Sequence, residues 1–245
     1  MGQPYLYDVR DPDKLLIGTG GGFTGDLPRN SQGMALVGDA RNDTHLFISQ
    51  LHLAFLHFHN RIVDRLRGTG VKPEQVFDEA ARIVRWHYQS IVLHEFLPLS
   101  VGDDLVADLL KNGPQLCRFE GRPFIPVEFS DGAYRFGHAQ VPGSYDVNDH
   151  LRNVPIFPAL VGICPVTAER QINWNLFFEF EGEQGPQPSR RIGPRLVPSL
   201  MRLPEALVGH TPRPEFTSLA ARDLSCIAVR RGRGTYAWLG SLPHC

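Results

Sequence analysis

The sequence predicts a mainly α chain with long loops, and three observations carry that prediction. Two stretches, 44–66 and 73–97, run without an internal breaker and place apolar residues at helical spacing rather than strand alternation. Their apolar stripes are wide, which implies burial on more than one side. Between and after them Gly and Pro, 24 and 20 of the 245 residues, mark connections rather than strands.

Residues 1–37 read as loop. Gly20, Gly22 and Gly25 formally fit a GxGxxG dinucleotide fingerprint, but Pro28 and a polar RNSQG follow where a helix must start, so the stretch is taken as an irregular connection. The polar turn GDARND at 38–43 then presents Arg41 just before the first helix. Asp43 and Thr44 are both suited to cap that helix, and Arg65, Arg67 and Gly68 close it. Its stripe comprises Leu46, Ile48, Leu51, Phe55, Phe58, Ile62 and Leu66, widened by Leu53, Ala54 and Leu56. His45, His52 and His59 recur every seventh residue on roughly one face. A metal site needs a carboxylate at a matching offset or an HExxH, and neither is present, so the three are read as hydrogen-bonded core histidines.

The second helix opens at Pro73, with Glu74, Asp78 and Glu79 in its early turns. It buries Val76, Ala80, Ile83, Val84, His87, Ile91 and Phe96 and is expected to end at Leu97-Pro98. A short helical piece follows at 104–110. Residues 128–140, EFSDGAYRFGHAQ, read as a helix preceded by Pro126 with Ala133, Phe136 and Phe129 facing inward. His138 taken alone is a core histidine. Gly137 before it leaves room for a close approach to the backbone. QINWNLFFEF at 171–180 is a strand or helix covering the core, 181–195 a polar loop, and 196–208 a short helix between prolines.

Lys+Arg 25 against Asp+Glu 26, a net charge of -1, gives no polyanion-binding surface, and no nucleic-acid partner is expected. No signal peptide or membrane-spanning run is read, so a cytoplasmic location is the default expectation. The four cysteines, Cys117, Cys164, Cys226 and Cys245, make no CxxC and read as thiols in a reducing compartment.

GDARND followed by QLHLAFLHFHNRIVD resembles the bacterial branch of the animal haem peroxidase family, the peroxidase–cyclooxygenase superfamily, and AARIVRWHYQSIVLHEFLP and YRFGH are similar to later family segments. The resemblance implies a partial domain of that fold over 38–224, with helices around a haem b, a loop-rich segment at 1–37 and a divergent tail at 225–245. It implies that Arg41 is the distal catalytic arginine and His138 the axial iron ligand. Arg135, otherwise a surface charge, would reach a haem propionate beside Gly137. Asp223 in TSLAARDL, otherwise a helix cap or surface acid, would accept the hydrogen bond of the ligating imidazole.

The implied activity is a haem-dependent peroxidase, using hydrogen peroxide and a reducing substrate in a response to oxidative stress. The family's distal histidine precedes its arginine in a DHD-like motif, yet residues 1–40 hold no histidine. An N-terminally truncated domain without the calcium loop is therefore expected, with impaired activity. The alternatives are a non-catalytic haem-binding remnant, or one half of a split peroxidase that self-associates or takes an upstream partner chain.

Overall fold

The computed structural model describes residues 4–18, 25–115, 121–122, 124–183 and 185–201, and the chain forms two compact units. One comprises Met1–Gln115 with Gly162–Gln171, the other Leu116–Val161 with Ile172–Cys245. As expected, the architecture is mainly helical; the one sheet among the described residues is a two-stranded ribbon.

In the first unit, the chain enters through a 3-10 turn, Pro4–Leu6, and single antiparallel bridges, Tyr7 to Leu15, Gly18 to Asp26 and Arg29 to Ala35. No propensity holds such a segment, so side chains do. Asn60 pairs its amide with both backbone groups of Leu15, at 2.8 and 2.9 Å. Arg67 pairs with Asp11 and Asp13 at 2.6 and 2.7 Å. These contacts tie residues 8–16 to the C-terminal half of helix α1, Leu46–Leu66. Helix α2, Val76–Ile91, folds back on α1 through a 3-10 turn at Pro73–Gln75. Val63, Leu66, Val76 and Ala80 are buried where the two meet, with Ile62, Val71 and Ile83 packed around them. Full burial of each valine or leucine contributes about 1.5–3 kcal/mol, so this cluster anchors the pair.

Four expectations about these helices need correction. Helix α1 starts at Leu46, and neither Asp43 nor Thr44 caps it: its N-cap is His45, without a side-chain hydrogen bond. Thr44 instead donates its hydroxyl to the Arg41 carbonyl, 3.0 Å away, and Asp43 is drawn into a buried ion pair described below. Ile48 and Leu51 are exposed, because the inward face of α1 runs through Leu46, Ser49, Gln50, Leu53, His59, Val63 and Leu66. Three polar residues serve that face: Ser49 bonds back to Leu46, and Gln50 reaches the Gly25 carbonyl at 2.8 Å. Finally, the second helix does not stop at Leu97-Pro98. A π-helical turn at Val92–Phe96 leads into α3, Leu97–Val101, where Pro98 occupies a first-turn position that needs no donor. Gly102, at φ 93°, ends the rod, and α4 follows at Asp103–Asn112. His87, Ile91 and Phe96, expected in the core, are exposed.

The heptad histidines are mostly sheltered. His59 is buried, and His52 shares a 3.0 Å contact with Asn42 Nδ2. Burial, aided by the Arg170 charge, lowers the His45 pKa to about 4, and burial also lowers His52 and His59. A depressed imidazole keeps the folded state neutral while the unfolded chain protonates near pH 6.5. The stability that His45 confers is thus complete above that pH and is lost as the pH falls towards 4, by up to about 3 kcal/mol. Urea midpoints measured from pH 7.5 to 4 should fall steadily, and His45→Gln should flatten that fall; parallel curves would remove His45 as the cause.

The second unit is built on an unusual rod. A π-helical turn, Glu128–Gly132, passes into a 3-10 helix, Ala133–Gln140. Ala133 and Phe129 are exposed, contrary to the inward orientation expected for an α-helix, and Ala139 is the buried residue of the 3-10 stretch. The three-residue period moves side chains off the face that a 3.6-residue period assigns them. Strands β1, Ser144–Tyr145, and β2, Val154–Pro155, pair antiparallel around the loop 146–153, which Asp146 and Asn148 brace with side-chain-to-backbone bonds. Gln187 pairs its amide with Asp146, and a 3-10 turn at Trp174–Leu176 brings Phe177 against Tyr145. Val147, Ile156, Leu160, Ile172, Val197 and Leu200 fill the interior, the last on α5, Pro198–Met201. Among the described residues no helix is long and apolar enough to cross a membrane.

Candidate functional site

Arg41 lies on a single 3-10 turn, Ala40–Asp43, in the first unit. A turn this short has no stability of its own, so its shape comes from what grips it. At the front, Asp39 accepts from the Arg41 backbone N–H at 2.9 Å and pairs with the Arg41 guanidinium at 2.5–3.0 Å. That ion pair holds the Asp39 carboxyl at about 2, well below the usual carboxylate range. The Arg41 side chain is 87% exposed, so its cation is open to an incoming anion or a polarised oxygen. At the back, the Asp43 carbonyl accepts from Ile163 N–H at 2.7 Å and the Thr44 carbonyl from Gly162 N–H at 3.1 Å. A Cβ on Gly162 would lie 1.9 Å from the Asp43 oxygen, so only glycine lets this segment approach.

The Asp43 carboxylate completes the grip. Arg29 donates to it twice, at 2.7 and 2.8 Å, and also donates to Asp26 at 2.8 and 3.1 Å and to the Gly33 carbonyl at 3.0 Å. All five guanidinium N–H groups are used. Burial would lower the Arg29 pKa, but its bonds to Asp43 and Asp26 outweigh that and raise it. Asp26 in turn accepts from Leu27 and Val166 N–H. Sequence reasoning missed Arg29, Asp26 and Gly162. An Asp-x-x-Arg flanking a proline is common loop composition, and the partners of Arg29 and Asp26 include residues 14 and 140 positions away.

His138 lies near the end of the 3-10 stretch in the second unit. It is half-buried, and its Nδ1 is enclosed without a hydrogen-bond partner among the described residues. Burial, reinforced by the Arg135 charge, lowers its pKa, with the Arg135 backbone opposing in part. The imidazole is therefore neutral at pH 7, the form that ligates a metal. Among the described residues, no atom beyond its chain neighbours lies within 4 Å of where a Cβ on Gly137 would project. Arg135 is half-buried one turn before His138. These residues fit a haem: a neutral ligand, a ring nitrogen lacking an acceptor, an open backbone beside it and a nearby cation. Asp223, expected to be that acceptor, lies outside the described residues. No cluster of three or more His, Cys, Asp or Glu able to hold a metal ion occurs among the described residues.

A mainly helical chain with a neutral, half-buried imidazole and an arginine on a clamped turn has the parts of a histidine-ligated haem protein. The model of the animal haem peroxidase family matches residues 15–178, and the chain belongs to that family. Peroxidasin of Drosophila melanogaster is 25% identical over 217 residues, covering 85% of this chain and 13% of that protein. Human lactoperoxidase is 30% identical over 149 residues, 58% of this chain and 19% of its own length. Heme peroxidase 2 of Caenorhabditis elegans is 29% identical over 183 residues, 60% and 26% respectively. The chain thus spans about an eighth to a quarter of the length of these relatives. Family membership implies a haem cofactor.

Proposed function

We propose that the chain binds haem b, without calcium, and works as a peroxidase on hydrogen peroxide with a reducing partner substrate. The observation that carries this is His138, a neutral imidazole whose Nδ1 lacks an acceptor, beside the open backbone at Gly137, within the span matched to a peroxidase family. When bound, haem supplies the redox-active iron at which the O–O bond is cleaved. His138 would hold the iron, Asp223 would accept the Nδ1 hydrogen bond and keep the tautomer, and Arg135 would pair with a propionate. Arg41 would stabilise negative charge on the departing oxygen.

Peroxide cleavage also needs a base that moves a proton between the two oxygens. Residues 1–40 contain no histidine for it, and absence of a positioned proton shuttle costs about 10²–10⁴ in rate. For this chain assayed by itself, impaired turnover is part of the proposal. Arg41→Ala in the haemin-loaded chain should lower peroxide turnover by a further 10²-fold or so while leaving haemin uptake intact. Unchanged turnover would remove Arg41 from the chemistry.

A second reading, one half of a split peroxidase whose partner chain supplies the base, is favoured by exposed apolar residues on the second helix and its extension. Trp86, Tyr88, Ile91, Phe96 and Leu99 all face solvent.

A further inference from the structure

We propose that Arg29 is a positioning residue for Arg41: through Asp43 it fixes the turn that presents the Arg41 cation. The proposal rests on the reading of Arg41 as the group that meets peroxide. The Arg29 side chain sends none of its five hydrogen bonds to Arg41. It joins Asp43, the last residue of the turn, to Asp26 and to the Gly33 carbonyl. Its side chain is 7% exposed and that of Asp43 6%, so the pair is held out of water and is not a screened surface contact.

The arrangement matters because, among the described residues, the other constraints on the turn are on backbone groups, on the exposed side, or a single side-chain contact from Asn42 to His52. Asp39 grips the front of the turn, but its carboxylate is part of the solvent-facing pair with Arg41 and moves with it. Gly162 and Ile163 fix two carbonyls from behind. The Asp43 carboxylate, clasped in a planar fork, and the Asn42 amide, 3.0 Å from His52 Nδ1, both hold the turn through side chains, and the two-point clasp from Arg29 sets the rotation that decides where Arg41 points. The chain spends two buried carboxylates on one arginine here. Lysine could keep the charge, but its three donors leave from one point and cannot reproduce a bidentate clasp on Asp43 together with the two bonds to Asp26.

The test uses the full chain as Arg29→Lys, with Asp43→Asn as a second variant that keeps shape and removes one charge. Amide hydrogen exchange is read without haemin, and fluoride affinity is read by absorbance on the haemin-loaded chain, alone and combined with Arg41→Lys. Exchange at Asn42 and Thr44 should accelerate about tenfold or more, with α2 amides unchanged. Fluoride affinity should fall in Arg29→Lys, and Arg29→Lys/Arg41→Lys should be no weaker than Arg41→Lys alone, since both act through one group. Additive losses, or exchange accelerated evenly through α1 and α2, would overturn the proposal and leave Arg29 a general stabiliser. Should Arg41→Lys leave fluoride affinity unchanged, the function assigned to Arg41 fails, while accelerated exchange confined to 40–44 would still support the hold of Arg29 on its turn.

Discussion

Replacing His138 with alanine is expected to abolish saturable haemin binding. A titration of the native chain followed by absorbance should give a stoichiometric Soret band, which His138→Ala loses or shifts. The expected loss of affinity exceeds about 100-fold, because removing only a hydrogen-bond partner of a metal ligand already costs 10–100-fold. The direction follows from the state of the ring. Burial and the Arg135 charge hold the imidazole neutral at pH 7, so no proton must leave before the iron is bound. Asp223→Asn is the companion variant: if Asp223 accepts from Nδ1, the band persists but the affinity drops within that 10–100-fold range. Identical spectra for the native chain and His138→Ala would sink the haem assignment at this residue.

Gly162→Ala is expected to be the most damaging single methyl added to the first unit. The new Cβ would sit 1.9 Å from the Asp43 carbonyl oxygen and 2.9 Å from the His45 nitrogen, both backbone atoms that cannot rotate away. Relief requires the segment at 162–163 to withdraw, which breaks the hydrogen bonds to Asp43 and Thr44 and loosens the turn carrying Arg41. Overpacking of about 1–3 kcal/mol plus two lost hydrogen bonds of about 1 kcal/mol each puts the expected loss near 3–5 kcal/mol. Urea unfolding of the purified variant measures it. Gly143→Ala serves as a control, because among the described residues no atom beyond its chain neighbours lies within 4 Å of its Cβ position. Equal midpoints for the two variants would show that the segment at 162–163 yields without cost.

The helices were legible in the sequence because their evidence is local. Apolar spacing over 44–66 and 73–97, with breakers only at the ends, identifies helices whatever surrounds them. The polar turn at Arg41 was equally legible from GDARND. The sequence also carried the family, since several segments match in order.

Tertiary structure decided the rest. Which face of α1 is inward depends on what packs there, and Ser49, Gln50 and His59 turn inward because Leu46, Gly25 and the surrounding chain offer them partners or cover. Pro98 does not end its helix because a π-helical turn resets the hydrogen-bond pattern just before it. Asp43 looked like a helix cap because a cap needs only its own sequence neighbours. It became half of a buried ion pair because Arg29 lies beside it in space. The setting of Arg41 was invisible for the same reason. Spacing along the chain reports interactions within a few residues, whereas Arg29, Gly162 and Val166 meet the turn and its braces only once the fold has closed.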